Sequence, residues 1–464
     1  MKVWLIALVV TLAVALALVA AQSGQQRVSL LVTNGVVVTM DGEGRVLQNG
    51  AVAVDGSDIV AVGDAEDIGR QFRGRETIDA TGQIVLPGLI NTHTHAPMVL
   101  YRGLADDLAL MEWLEKYIFP AEAKTVSPEF VRAGTRLAAL EMIQSGTTTF
   151  ADMYYFEEEI AIETRAAGLR GVLGQTVIRF PVADAATPAE GLARADAFIS
   201  RFKGDPLITP AVAPHAMYTL DGPTLQRARA LARRHGVPTL IHLAETAAEV
   251  ETSQDQFGMS PVAYLDSLGF LGPGVVAAHA VWVSEPEIAI LKARGTSVSH
   301  NPESNMKLAS GTAPVPQYLA ADVAIGLGTD GAASNNDLDM FESMRTASLL
   351  HKLHTGDPRV VGARAALEMA TIGGARALGL QQQIGSLEPG KRADLIAVSV
   401  AGARQTPMYD PVSHLVYVAR GEDVRTTIVH GKVLMRTRKV STLNERRVLD
   451  DAREWAGRVR AAVN

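Results

Sequence analysis

The chain has 464 residues, no cysteine, 47 % hydrophobic and 20 % charged residues, and a net charge of −7. This composition fits a globular protein with a large core and excludes a mostly disordered or collagen-like chain. An acidic balance argues against general nucleic-acid or anionic-membrane binding, and without cysteine any metal must be held by His, Asp and Glu.

The first element is an export signal. Lys2 precedes an apolar run from Val3 to Ala21, and Val19-Ala20-Ala21 places small residues before a cut after Ala21. Residues 1–21 are therefore expected to be a signal peptide and the folded part to be exported, periplasmic or secreted. The rival reading is an uncleaved membrane anchor, since the run is near the lower length for a span. With the signal cleaved, no stable membrane partner is expected.

Residues 27–86 alternate like short strands: Val28 to Thr33, Gly35 to Met40, Ala51 to Val54 and Ile59 to Val62. Asn34-Gly35, Asp41-Gly42 and Asp55-Gly56 supply turns. The stretch 386–440 repeats the style, with Ala393 to Val398, Thr426 to Val429 and Lys432 to Met435 about a His430-Gly431 turn. Together the two predict one small discontinuous β-sandwich domain built from both termini. In 441–464, Thr442 with Glu445 reads as a capping box opening a final helix. Its stripe of Val448, Ala452, Trp455 and Val459 is expected to dock on the body.

Between them, 87–385 alternates apolar strand runs with amphipathic stretches such as Pro128 to Gln144 and Pro223 to His235. The strand candidates are Ile84 to Ile90, Thr147 to Met153, Gly171 to Ile178, Ile208 to Pro214, Thr239 to Ala244, Val275 to His279, Thr296 to Ser299 and Val323 to Leu327. Eight strand–helix units predict an α/β fold, a (β/α)8 TIM-like barrel. Its polar residues gather where strands end: His93, His95, Asp152, His215, His242, Glu245, His279, His300 and Asp330. In such a barrel all those ends share the catalytic face.

His93 and His95, two apart at a strand end, point the same way and can reach one cation. His242 ends another strand, and Glu245, three residues on, can carry a proton in the same pocket. Asp330 ends the last strand between Gly328 and Gly331, and Asn336 is expected to cap the helix that comes next. His93, His95, His242 and Asp330 thus make an open site for one divalent ion. His279 would be either a fifth ligand or a hydrogen-bonding partner of the water completing the ion's shell. The second is expected, because four protein ligands leave room only for water. His300 would line the pocket or stabilise its turn. His235 lies at a helix C-terminus beside Arg233 and Arg234, where a positive charge suits the dipole. His351 and His354, one helical turn apart, could mimic a metal pair but read as a solvated helix end, and His414 and His430 read as structural.

The segments Asn91 to Met98, His242 to Glu245, Ser299 to Pro302, Gly328 to Asn336 and Pro389 to Leu395 resemble the amidohydrolase superfamily. More narrowly, they are similar to the 5-methylthioadenosine/S-adenosylhomocysteine deaminases and their s-triazine hydrolase relatives. The resemblance implies a single metal, usually zinc with iron(II) the alternative, held by His93, His95, His242 and Asp330. It implies Glu245 and Asp330 as proton carriers, also touching substrate, His279 beside the water, and Glu122 and His215 as substrate contacts. It implies a small heterocyclic substrate, hydrolytic deamination of an amino-substituted ring such as adenosine's, and a homo-oligomer. Where deaminases that accept S-adenosylhomocysteine carry two arginines, this chain has Gln175 and, near the second, Leu192, with Arg179 and Arg194 close by. Guanine, pterin, cytosine or triazine hydrolysis is the alternative on the same scaffold. A non-catalytic metal-binding protein is the alternative outside it, and would have no use for Glu245.

Overall fold

The computed structural model describes residues 25–463, so the signal segment expected at 1–21 lies outside the described residues. Eight parallel strands run in chain order: β1 (Leu89–Thr94), β2 (Thr147–Tyr154), β3 (Arg170–Val177), β4 (Ile208–Pro214), β5 (Thr239–Leu243), β6 (Val275–His279), β7 (Ser297–His300) and β8 (Ile325–Leu327). Each pairs in parallel with the next. Thr92 Oγ1 donates to the Leu327 carbonyl at 2.9 Å and the Asp330 N–H donates to the His93 carbonyl at 3.0 Å, which brings β8 back to β1. Nearly every strand residue is buried, because helices cover the outer face and side chains fill the inside, the condition under which parallel strands read as continuous apolar runs.

Among the helices are α1 (Pro128–Ser145), α2 (Ala247–Phe257), α3 (Met340–Thr355) and α4 (Glu445–Val463). Val448 and Val459 of α4 are buried, and Trp455 meets Phe130 of α1 edge-on at 5.4 Å, a geometry that contributes about 0.5–1.5 kcal/mol beyond area burial.

The terminal segments form one nine-stranded mixed sheet. Its order is Lys439–Val440, Lys432–Arg436, Val424–Val429, Leu395–Ser399, Gln83–Pro87, Gln26–Val38, Val46–Asp55 and Asp58–Asp64, with Phe72–Asp79 also on Gln26–Val38. Side chains from both termini, among them Leu30, Val52, Val85, Leu395 and Ile428, pack as one cluster. A buried ion pair joins this sheet to the barrel: Arg170 Nε of β3 lies 2.9 Å from Asp394 Oδ2.

Four local expectations are corrected. Ile84 to Ile90 is not one strand, because Gly88 divides it; Gln83–Pro87 joins the terminal sheet and only Leu89–Thr94 enters the barrel. Asn34-Gly35 is not a hairpin turn. Asn34 does take a left-handed φ of 64°, but the chain continues as one strand with shifted register, which is a bulge. The helix after Asp330 begins at Met340 and is capped by Asp339, whose side chain accepts the Phe341 N–H, so Asn336 is not its cap. The final helix is capped by Asn444, which accepts the Arg447 N–H, and not by Thr442.

Candidate metal centre and active site

Imidazole and carboxyl groups from the ends of β1, β5, β6 and β8 converge at the open end of the barrel. His93 lies in β1 and His95 just beyond it. His242 lies in β5 with Glu245 after it, His279 ends β6, and Asp330 comes after β8. His93 and Asp330 Oδ1 are 3.4 Å apart, His95 and Asp330 Oδ1 3.3 Å, and His95 and His242 Nε2 atoms 3.4 Å. The ligand atoms of His93, His95 and Asp330 lie within 4.8 Å of one another, as do those of His93, His242 and His279. His215, after β4, stands with its ring 4.7 Å from that of His242.

The convergence strains the backbone. Ala244, His279 and Asp330 all sit at left-handed φ, 48°, 71° and 63°, costly for non-glycine residues and characteristic of functional sites. Gly328 is needed beside them, because a Cβ there would collide with Asn301 Oδ1 and meet His93 Cβ at 2.9 Å.

Hydrogen bonds fix each ring. Backbone carbonyls only accept, so His95 Nδ1 donates to Met153 at 2.6 Å and His242 Nδ1 donates to His215 at 2.8 Å. Both turn Nε2 inward, the arrangement expected of metal-ligating histidines. Asp152 is not in the pocket. Fully buried, it accepts from Thr94 Oγ1 at 2.8 Å and from the Ala96 N–H, and so braces the turn that carries His93 and His95. Asp330 accepts from Ser304 at 2.7 Å, Ser334 at 3.0 Å and the Gly331 N–H at 2.7 Å.

The electrostatics ask for a cation. Burial lowers His93 to about 4 and holds His242 well below its ordinary value, so both are neutral donors. Burial would raise Asp330, but the adjacent His93 and His95 rings outweigh that and hold it well below the usual carboxylate range. At His95 burial is likewise outweighed by Asp330, which raises it to about 9. His93 Nε2 is buried without a hydrogen-bond partner. One divalent ion can contact all of these nitrogen and oxygen donors at once, and the set suits zinc or another borderline metal. The residues present therefore fit a metal.

Above the centre is a cavity of about 590 Å³ including its mouth, lined by His95, His215, His242, Glu245, His279, Asp330 and Glu122 with an apolar wall containing Leu110, Trp113, Ile118 and Phe119. An apolar wall facing a few convergent polar groups is the lining expected of a site for a small organic ligand. Among the described residues no lysine or arginine lines it. Gln175 is buried and donates to Asp184 at 2.9 Å, and Arg194 pairs with Asp184 and Glu158. Arg179 lines a separate surface pocket that shares Tyr218. Leu192 packs against the helical core.

Residues 84–434 match the Amidohydrolase family. The chain belongs to that family. It is 50 % identical over 430 residues to a 5-methylthioadenosine/S-adenosylhomocysteine deaminase of Syntrophobacter fumaroxidans, covering 93 % of this chain and 98 % of the relative. It is 44 % identical to a 5′-deoxyadenosine deaminase of Methanosarcina mazei, covering 94 % and 99 %. A crystal structure of an adenosine deaminase from Xanthomonas campestris with bound zinc superposes with a TM-score of 0.93 at 40 % identity, covering 94 % of this amidohydrolase and all of that chain.

The remaining histidines lie outside the centre. His300 does not line the cavity; its Nε2 meets His351 Nε2 at 3.1 Å. His351 is fully buried, which corrects the expectation of a solvated helix end; His354, one turn on, is exposed. His235 pairs with Asp196 at 2.6 Å.

Several participants escape the sequence. Ser304, Ser334 and Asn305 hold Asp330 and His279. Tyr154 donates to Glu122 at 2.6 Å, and burial raises the Glu122 carboxyl to about 7. Tyr154 ends a strand, where the candidate ligands also gather, and that position was the available signal.

Proposed function

We propose that this amidohydrolase deaminates the adenine ring of 5′-deoxyadenosine-type nucleosides, including 5-methylthioadenosine, by hydrolysis. The observation that carries the reading is the position of His279 Nε2 between two carboxyl groups of opposite tendency. Glu245 lies 3.6 Å away and Asp330 4.0 Å. Burial raises Glu245 while its histidine partners hold Asp330 down, and carboxyls pushed apart in this way divide into acid and base.

His93, His95, His242 and Asp330 would hold one divalent ion, zinc by analogy with the solved relative and iron(II) the alternative. Such an ion, when bound, lowers the pKa of water toward about 7. His279 orients the attacking water. Asp330 takes its proton and returns it to the leaving amine. Glu245 protonates the ring nitrogen next to the carbon under attack and takes a proton back from the added hydroxyl as the ring carbonyl forms. A C–O bond forms, the exocyclic C–N bond breaks, and ammonia leaves. Glu122 and His215 contact the substrate, the carboxylate accepting from ribose hydroxyls. The apolar wall, and a lining with no cation among the described residues, favour neutral 5′ substituents over the charged amino-acid tail of S-adenosylhomocysteine.

Purified protein reconstituted with zinc should release ammonia from 5′-deoxyadenosine and 5-methylthioadenosine. Release only from guanine, pterins, cytosine or triazines would overturn the substrate assignment, and no release from any would favour a metal-binding role. The same proposal places the enzyme outside the cytoplasm, as a homo-oligomer, on the strength of residues 1–21 and the family resemblance; a mature protein beginning at Gln22 would support the export.

A further inference from the structure

Glu249 has no place in the chemistry described above and does not line the cavity. It is nevertheless 6 % exposed, at the third position of α2, and both of its carboxyl oxygens are hydrogen-bonded. Oε1 accepts the Ala244 N–H and Oε2 the Glu245 N–H, each at 2.9 Å. Thr246 caps α2 by accepting the Glu249 N–H at 3.2 Å, so helix start and carboxyl clamp lock each other. From the opposite side, the Ala244 carbonyl accepts from the Val281 and Trp282 N–H groups at 3.0 and 2.9 Å. Ala244 is thereby held at its left-handed φ of 48°, and this bend sets where the Glu245 side chain projects.

We infer that Glu249 is a positioning residue: it fixes the peptide that carries Glu245 and so aims the proton carrier at the site beside His279. A carboxylate can accept both N–H groups; a carboxamide must turn its NH2 toward one of them, losing that bond and leaving a buried donor unpaired. Geometric errors of this size far from the reacting atoms can lower rates steeply. The inference rests on the proposed role of Glu245.

The test is a cycle of E245Q, E249Q and the double variant, followed by ammonia release, with amide hydrogen exchange read independently of turnover. E249Q should lower kcat by about tenfold or more while KM and bound zinc stay within twofold. In the E245Q background the same change should alter the residual rate by less than twofold, because residues that act as a unit are not additive. Exchange at Ala244 and Glu245 should quicken by about tenfold in E249Q, the worth of one lost hydrogen bond. An equal rate factor in both backgrounds, or exchange unchanged at these two amides, would overturn the inference. E249D, which keeps the charge but cannot span both N–H groups, should show the same exchange change if E249Q fails to fold. Wild-type ammonia release judges the reaction separately from the cycle.

Discussion

His279 Nδ1 lies 2.8 Å from the side-chain oxygen of Asn305, and both residues are buried. The oxygen accepts, so Nδ1 carries the proton and Nε2 turns its lone pair to the space between Glu245 and Asp330. Asn305→Ala should free the ring and cost about 10–100-fold in activity, the usual size for a partner that orients a site histidine. Steady-state kinetics with metal content measured alongside checks this; unchanged kcat would remove the orienting role.

Glu245→Gln should lose about 10²–10⁴-fold in kcat, the range of one well-placed proton transfer. Zinc content should stay at the wild-type level, because Glu245 is outside the proposed ligand set. Full activity in that variant would reject the proton-carrier role.

The Glu122 carboxyl gives a pH signature. Burial raises it to about 7, and the Tyr154 hydroxyl opposes that by donating to it. In its proposed role the group, protonated below its pKa, could not accept both ribose hydroxyls, so kcat/KM for a riboside should rise as pH increases through about 7. Tyr154→Phe removes a bond that favours the charged form and should move this limb to higher pH. Glu122→Gln should flatten it. A limb that stays in place in both variants would show another group titrating.

The Arg170–Asp394 pair tests how the terminal sheet is fastened to the barrel. Asp394 also accepts the His430 N–H at 2.7 Å. Asp394→Ala would strand a buried guanidinium and should destabilise the fold by about 3–5 kcal/mol. Denaturant titration of the variant measures it, and a loss under about 1 kcal/mol would contradict the assignment.

The barrel was legible because its strands are apolar runs that stop at a histidine or an aspartate, and one barrel face collects all such stops. Asp330 and His242 could be named for that reason. Their supports could not be. Asn305 stands 26 residues from His279, Ser304 26 from Asp330 and Tyr154 32 from Glu122. Nothing local tells that an asparagine, serine or tyrosine will find its partner across such a gap. The left-handed backbone at Ala244 and His279 was equally hidden, since that conformation is normally signalled by glycine or asparagine. Asn34-Gly35 gave the opposite error: the residues of a tight turn serve a bulge, because pairing with Val46–Asp55 resumes beyond them. His351 reads as a solvated helix end from the sequence, and its place facing His300 depends on how α3 packs against β8 and β1.

Metal analysis of purified His242→Ala beside wild type asks whether this imidazole holds the ion. Wild type should carry about one divalent ion per chain and release ammonia from 5′-deoxyadenosine. The variant should lose both the ion and the turnover. A variant that keeps the wild-type metal content would contradict the account, because the imidazole then is not what holds the ion.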